Sequence, residues 1–179
     1  LDFIKERFGR VEDLFEWCAG PGYLGYAMLA HDITDRLCLA DVNPKAVHYA
    51  KKTREANCLE DKVEIYESNN LISIPEYEKW DLVIGNPPHY GGSKDYFSEI
   101  DRRGWDKDWH IHRQFFAQVG PHLKPEGRLC IMEWLYEFDD HSATTGTFLP
   151  MLEENGFVLE DTIKCKEIAD HYYLIARKK

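Results

Sequence analysis

Short apolar runs alternate with longer, polar-faced segments along most of the chain. Arg36–Val42 and Trp80–Gly85 are largely apolar runs of strand length, the pattern of strands covered on both faces, and Val11–Cys18 reads as a first strand before them. Lys62–Glu67 alternates apolar and polar positions and reads as another strand. Between these lie helical patterns. Tyr23–His31 is apolar, and the segment ending near Asn57 carries Ala46, Val47, Ala50 and Arg54 at helical spacing, with Asn43 as its N-cap and Pro44 at its first position. Asp106–Leu123 reads as a helix with Trp109, Phe116 and Val119 toward the core. Pro125-Glu126-Gly127 reads as a turn into the strand Arg128–Leu135. Thr147–Asn155 predicts a helix stopped by Gly156, and Phe157–Lys164 and His171–Arg177 predict two last strands. Gly91–Gly104 is polar and glycine-punctuated and predicts a loop or lid.

Strands alternating with helices predict an α/β fold, a doubly wound and mostly parallel seven-stranded sheet covered on both faces. The last two strands have no helix between them and so form an antiparallel edge hairpin. No domain-sized linker or repeat interrupts the pattern, and one domain over residues 1–179 is expected. No apolar run approaches the roughly 20 residues of a membrane span. Charges at Asp2, Lys5, Glu6 and Arg7 argue against a secretory leader, which points to a cytoplasmic protein without membrane contact. Cys18, Cys38, Cys58, Cys130 and Cys165 are odd in number and scattered, as free thiols in a reducing compartment would be. The net charge of −10 disfavours a generic phosphate-backbone binder.

The chemistry concentrates at strand ends. The run Trp80–Gly85 passes straight into Asn86-Pro87-Pro88, then His89 and Tyr90. Two prolines cannot donate to a ladder, so they end the strand and stiffen a turn that presents an amide and open carbonyls. Such a turn suits a planar amino group. Gly20-Pro21-Gly22-Tyr23-Leu24-Gly25 fits a glycine turn between a strand and a helix, where a ligand can approach the backbone, although a structural turn fits equally. Asp41 ends the next strand, where a carboxylate commonly receives ribose hydroxyls. NAD and S-adenosylmethionine both present such a ribose. Glu16, just before the glycine turn, would repel a pyrophosphate and suit an ammonium group, which favours S-adenosylmethionine; a solvated strand end is the alternative.

Together these residues resemble the class I S-adenosylmethionine-dependent methyltransferases over almost the whole chain. Glu16-x-x-x-Gly20-x-Gly22 is similar to their first motif, Leu39-Ala40-Asp41-Val42-Asn43-Pro44 to their second, and Asn86-Pro87-Pro88 to the Asn/Asp-Pro-Pro-aromatic motif of the amino methyltransferases. The nearest subgroup is the release-factor glutamine methyltransferases and their relatives. The resemblance implies a Rossmann-like sheet and S-adenosylmethionine held by Glu16, Cys18, Ala19, Gly20, Gly22, Tyr23, Asp41, Val42, Asn69, Asn70 and Asn86. It implies a methyl acceptor nitrogen at Asn86, Pro87, Pro88, His89 and Tyr90, on a protein glutamine or a nucleic-acid base. Asn86 and the Pro87 carbonyl would accept the two N–H bonds, and His89 or Tyr90 would stack on the planar group or, for His89, take the late proton. Two departures stand out. His89 replaces the usual Tyr, Phe or Trp, and Ser68-Asn69-Asn70-Leu71 lacks the usual acidic residue near adenine, leaving Asn70 ahead of Asn69 for that contact.

Other clusters carry less. His110-x-His112 does not place two ligands on one helical face, and no metal is expected. Arg102-Arg103 with Trp105, and Asp139-Asp140-His141, read as ordinary surface. Two other functions compete: an NAD-dependent oxidoreductase, and a non-catalytic S-adenosylmethionine-binding subunit of a heteromeric enzyme.

Overall fold

The computed structural model describes residues 1–92, 104–134, 141–166, 168 and 170–179, without the side chains of Tyr90 and residues 141–145. Strands β1 (Val11–Trp17), β2 (Thr34–Asp41), β3 (Val63–Glu67) and β4 (Trp80–Gly85) are followed by a short β5 (Tyr90–Gly92) and β6 (Trp105–Lys107). Then come β7 (Leu123–Trp134), β8 (Phe157–Lys164) and β9 (His171–Lys178). The helices are α1 (Asp2–Phe8), α2 (Tyr23–Ala30), α3 (Pro44–Ala56), α4 (His110–Val119) and α5 (His141–Glu154).

Seven strands form one sheet in the order β3-β2-β1-β4-β7-β9-β8. β1, β2, β3, β4 and β7 run parallel, and β9 joins β7 and β8 antiparallel, as the edge hairpin requires. The strand order reverses between β1 and β4, which pair from Leu14↔Leu82 to Trp17↔Gly85. In open α/β sheets this switch point leaves a crevice beyond the strands' carboxyl ends, where ligands bind. Alternation along the parallel strands feeds two cores. Leu14, Leu37, Leu39, Leu82 and Ile84 pack on the face of α2 and α3, and Phe15, Trp17, Val83 and Leu129 pack with Phe115 and Phe116 of α4 on the other. Trp80 stacks on Phe15 at 4.1 Å, and Trp17 stacks on Phe115 at 3.8 Å.

Several elements differ from the sequence expectation for local reasons. α1 has little pattern of its own and is held by tertiary contact, with Phe3 stacked on Tyr173 at 4.3 Å. Asp106 lies in β6 rather than in a helix. Its carboxylate accepts the N–H groups of Ile111 at 2.8 Å and His112 at 3.1 Å, so it caps α4 from outside and delays that helix to His110. Pro125-Glu126-Gly127 is not a turn before β7 but a wide irregularity within it. Trp80 pairs with Leu123 and Leu82 with Arg128, leaving residues 124–127 opposite Asp81. Pro125 has no N–H to give, and a Cβ on Gly127 would meet the Trp80 carbonyl at 2.9 Å. The bulge sends Lys124 to Asp13 at 2.6 Å, Asp81 at 2.9 Å and Glu12 at 3.2 Å, so a cation side chain already spans this acidic trio. α5 starts earlier than expected and continues through Pro150. α3 begins as expected, with the Asn43 side chain accepting from the Lys45 N–H at 3.0 Å. No helix among the described residues is long and apolar enough to cross a membrane.

Of the expected lid, Gly91 and Gly92 belong to β5, which pairs in parallel with β6; residues 93–103, including Arg102-Arg103, lie outside the described residues, as do Asp139 and Asp140. Trp109 closes this ladder. Its ring lies so close over Gly91 that a Cβ there would sit 1.9 Å from it.

Candidate active site

The crevice at the switch point holds a cavity of about 520 Å³, within the roughly 300–1,000 Å³ of small-ligand sites. Cys18, Gly20 and Pro21 of the glycine turn form one wall, Asp41, Val42 and Asn43 the second, and Ser68, Asn69 and Asn70 the third. Asn86 and Pro88 close it at the end of β4, opposite Trp105 and Ile111. Eight of the expected residues therefore meet here: Cys18, Gly20, Asp41, Val42, Asn69, Asn70, Asn86 and Pro88. A groove of about 550 Å³ between Arg7, Arg128, Glu160 and Arg177 holds none of them, and its arginines pair with Glu160 and Asp161.

The glycine turn is shaped by backbone need. Gly20 has φ 55° and nothing within 4 Å of where its Cβ would stand, while a Cβ on Gly22, at φ 82°, would meet Leu39 at 2.6 Å. The Gly20 N–H donates to Asp41 Oδ2 at 2.7 Å, and the Asn43 N–H donates to Asp41 Oδ1 at 2.8 Å. Both oxygens are oriented, and each keeps a further lone pair for a ligand hydroxyl.

Glu16 has a different place from the one expected. It does not line the cavity but lies beneath the turn, 4 % exposed, with its Oε2 accepting the Gly25 N–H at 2.8 Å. Gly25 permits this approach, since a Cβ there would stand 2.7 Å from that oxygen. Glu16 thus caps the first turn of α2 from beneath the glycine turn. Ala19, Gly22 and Tyr23 likewise shape the turn without lining the cavity, Tyr23 being 79 % exposed. Burial chiefly, with Asp41 nearby, pushes the Glu16 carboxyl up to about 8 against the opposing Gly25 N–H. The stability consequence has a definite sign. With an unfolded value of 4.5, the native carboxyl keeps a proton that the unfolded one has lost. The contribution is full below pH 4.5 and is lost as pH rises through 8, in total roughly 3–5 kcal/mol. Glu16→Gln keeps an acceptor for Gly25 and removes the titration. Urea unfolding of the ligand-free protein at pH 5 to 8 is expected to show a shallower fall for the variant than for the wild type; parallel curves would refute a protonated Glu16.

The two asparagines of the third wall exchange roles. Asn70 Oδ1 accepts from the Trp17 indole at 2.8 Å, and its Nδ2 donates to the Ile111 carbonyl and Gln114 Oε1, each at 3.2 Å. Its amide is committed to joining β1 and α4, so it is not the free adenine contact expected of it. Asn69 is exposed on the cavity wall and has that freedom.

At the mouth, Asn86 Oδ1 lies 2.8 Å from His89 Nε2. Behind His89 stands a buried chain that local sequence patterns do not show. His89 Nδ1 is 3.6 Å from Glu133 Oε2, Glu133 Oε1 is 2.9 Å from His112 Nε2, and His112 Nδ1 is 2.6 Å from Asp106 Oδ2. Asp106, His112 and Glu133 are each at most 1 % exposed. Burial opposes a charge on His112, but Glu133 and then Asp106 outweigh it and raise the imidazole to about 9. Burial likewise opposes the Glu133 anion, and His112 and His89 hold its carboxyl below the usual range. One signal was available: Leu129, Ile131 and Glu133 share a face of β7, so a carboxylate falls at a core position. His110 is exposed while His112 is buried, as residues two apart on a helix should be.

The sheet order, the switch-point cavity and the glycine turn tied to a strand-end aspartate give the chain a doubly wound α/β frame with a site built for a nucleoside. The chain belongs to the family described as "Methyltransferase small domain", which it matches over residues 2–135. This places the protein outside the NAD-dependent alternative. It is 28% identical over 189 residues to a release factor glutamine methyltransferase of Clostridium acetobutylicum, covering 99% of this chain and 62% of that protein. It is 31% identical over 130 residues to a ribosomal RNA small subunit methyltransferase C of Photorhabdus laumondii, covering 73% of this chain and 33% of that one. The chain thus spans less than two thirds of the length of either relative. Its fold matches a ribosomal protein L11 methylase of Lactobacillus delbrueckii with TM-score 0.68 at 15% identity, covering 98% of this chain and 74% of that one. It also matches the 16S rRNA N2 G1207 methyltransferase of T. thermophilus, solved with AdoMet and guanosine, with TM-score 0.68 at 20% identity, covering 99% and 41%.

The cavity suits the cofactor of this class. Asp41 offers oriented lone pairs to ribose hydroxyls, Gly20 leaves the backbone approachable, and Val42, 65% exposed at the rim, offers apolar cover for a base.

Proposed function

We propose that the protein transfers a methyl group to a planar amino nitrogen, and that this nitrogen is the side-chain amide of a protein glutamine. The observation that carries the reading is the position of Asn86. It ends β4 on the same cavity as Asp41 and Gly20, with its amide held by His89. Bound S-adenosylmethionine would supply an electrophilic methyl on a sulfonium. In this reading Asp41, Gly20, Val42 and Asn69 hold that ligand, while Glu16 and Asn70 keep the walls in place. Asn86 Oδ1 and the Pro87 carbonyl accept the two N–H bonds of the acceptor nitrogen and turn its lone pair toward the methyl. These acceptors strengthen as positive charge grows on nitrogen, so they favour the transition state over the ground state. The Tyr90 side chain, proposed from the sequence as a stacking ring, lies outside the described residues.

Glutamine is preferred over a nucleic-acid base for two reasons. The relative aligned over 99% of the chain is the glutamine methyltransferase, and a net charge of −10 suits an RNA backbone poorly. We read residues 1–179 as one methyltransferase domain, supported by a main sheet whose strands run from Val11 to Lys178. The five free cysteines support a reducing, cytoplasmic setting. The test uses S-adenosylmethionine with an isotope-labelled methyl and the protein and RNA fractions of a cell lysate. Hydrolysis and mass spectrometry are expected to find the label in N-methylglutamine. Label confined to nucleosides would move the substrate to a base, and no S-adenosylhomocysteine from either fraction would favour the non-catalytic subunit.

A further inference from the structure

The ring after the prolines is an imidazole with an acceptor facing each of its nitrogens. Asn86 Oδ1 faces Nε2 at 2.8 Å and Glu133 Oε2 faces Nδ1 at 3.6 Å. A neutral imidazole carries one hydrogen and can satisfy one acceptor, whereas the protonated ring satisfies both. Glu133 cannot turn away, because its other oxygen is fixed by His112, which Asp106 fixes in turn at 2.6 Å. Carboxyl and imidazole groups alternate along the chain, Asp106, His112, Glu133 and then His89, and His112 holds the Glu133 carboxyl ionised. The Glu133 anion therefore turns its other oxygen to the His89 ring.

We propose that His89 takes the proton shed by the methylated nitrogen, and that Glu133, locked by His112 and Asp106, is the positioning residue that holds His89 for this step. The proposal rests on the methyl-transfer reading above. When the acceptor N–H takes Asn86 Oδ1, the ring gives up the Nε2 contact seen in the structure, and the neutral imidazole keeps its hydrogen on Nδ1, toward Glu133, which leaves Nε2 bare for the step. An N–H bond of the methylated, positively charged nitrogen breaks, its electron pair stays on that nitrogen, and the proton passes to Nε2. The products are a neutral N-methyl group and a His89 imidazolium. The new Nε2–H then donates to Asn86 Oδ1, the contact seen in the structure, and so displaces the product from that acceptor. Such proton transfer contributes typically 10²–10⁴-fold.

The titratable groups facing these rings define what a pH titration will sense. Among the described residues, Glu133 of β7 and His171 of β9 face His89, the latter edge-on at 5.4 Å. Asp106 of β6 and Glu133 face His112. The Cys18 thiol, pushed up by burial and then by Asp41, Asp106 and Glu133, lies near the same anions and stays neutral.

The test reads the rings directly by ¹⁵N NMR of the histidines in the protein bound to S-adenosylhomocysteine and a synthetic glutamine peptide, then reads turnover. In the wild type, His89 should carry hydrogen on Nδ1, and His112 should titrate near 9. In Glu133→Gln, His112 should lose at least about tenfold in proton affinity, and the His89 hydrogen should move to Nε2. Single-turnover methylation of a synthetic glutamine peptide should slow about 10- to 100-fold in this variant, with cofactor affinity changed less than about threefold. Glu133→Asp keeps the charge and should restore part of the rate. Bare Nδ1 in the wild type overturns the proposal even if the variants fail to fold. Unchanged turnover of Glu133→Gln beside an active wild type overturns the relay and leaves the methyl-transfer reading standing. A wild type inactive on every glutamine and nucleobase substrate overturns both.

Discussion

Asn86→Ala is expected to lower the methyl-transfer rate by about 10²–10³-fold while S-adenosylmethionine affinity changes less than about threefold. The magnitude follows from what a single preorganised polar partner contributes when it acts on charge that develops only in the transition state. In the proposed reading Asn86 meets that condition, since its oxygen would accept from the nitrogen that becomes positive. The affinity expectation follows from position. Asn86 stands at the mouth, while Asp41 and the glycine turn form the opposite wall. Asn86→Asp, the other residue the family pattern admits, retains an acceptor and should recover part of the rate. Single-turnover kinetics with equilibrium dialysis of the cofactor separates the two quantities. Equal loss in rate and in cofactor affinity would assign Asn86 to binding instead.

His112→Ala is expected to destabilise the fold by roughly 3–5 kcal/mol, the usual cost of breaking a buried ion pair by removing one partner. The imidazolium stands between Asp106 and Glu133, all three fully enclosed. Without it, two carboxylates face one cavity with no cation between them, and one must take up a proton. The wild-type linkage has its own sign. The His112 value is raised from 6.5 to about 9, so its contribution is full below pH 6.5 and is lost as pH rises through 9. The deficit of the variant should therefore be largest near neutrality and shrink in acid as the stranded carboxylates protonate. Chemical denaturation at pH 4.5, 7 and 9 measures this, and a deficit independent of pH would mean that only packing was lost.

What could be read from the sequence divides along the range of the interactions. The runs that became β2 and β4 have apolar centres on both faces, and Asn43-Pro44 caps α3 through contacts two residues apart, so local pattern sufficed. The meeting of Gly20, Asp41 and Asn86 was legible because each ends a strand of a sheet whose switch point fixes where strand ends converge. Orientation within the site was not legible. Glu16 and Asn70 sit at the expected places in the chain, yet Gly25 draws one carboxylate under the turn and Trp17 takes the other residue's carbonyl. Asp106 was assigned to a helix by apolar spacing, whereas its carboxylate serves α4 from outside. The pairing of His112 with Glu133 joins α4 to β7 across 21 positions, a distance no periodicity encodes.

The small β5–β6 ladder has a consequence for how this protein can diversify. It pins Tyr90–Gly92 to Trp105–Lys107, with Trp109 pressed on Gly91. The turn Asn86-Pro87-Pro88 runs directly into this clasp. Lengthening a closed segment costs only about 0.6 kcal/mol per doubling. An insertion between the two clasp strands should therefore cost little and leave Asn86, His89 and the buried Asp106–His112–Glu133 chain in their places.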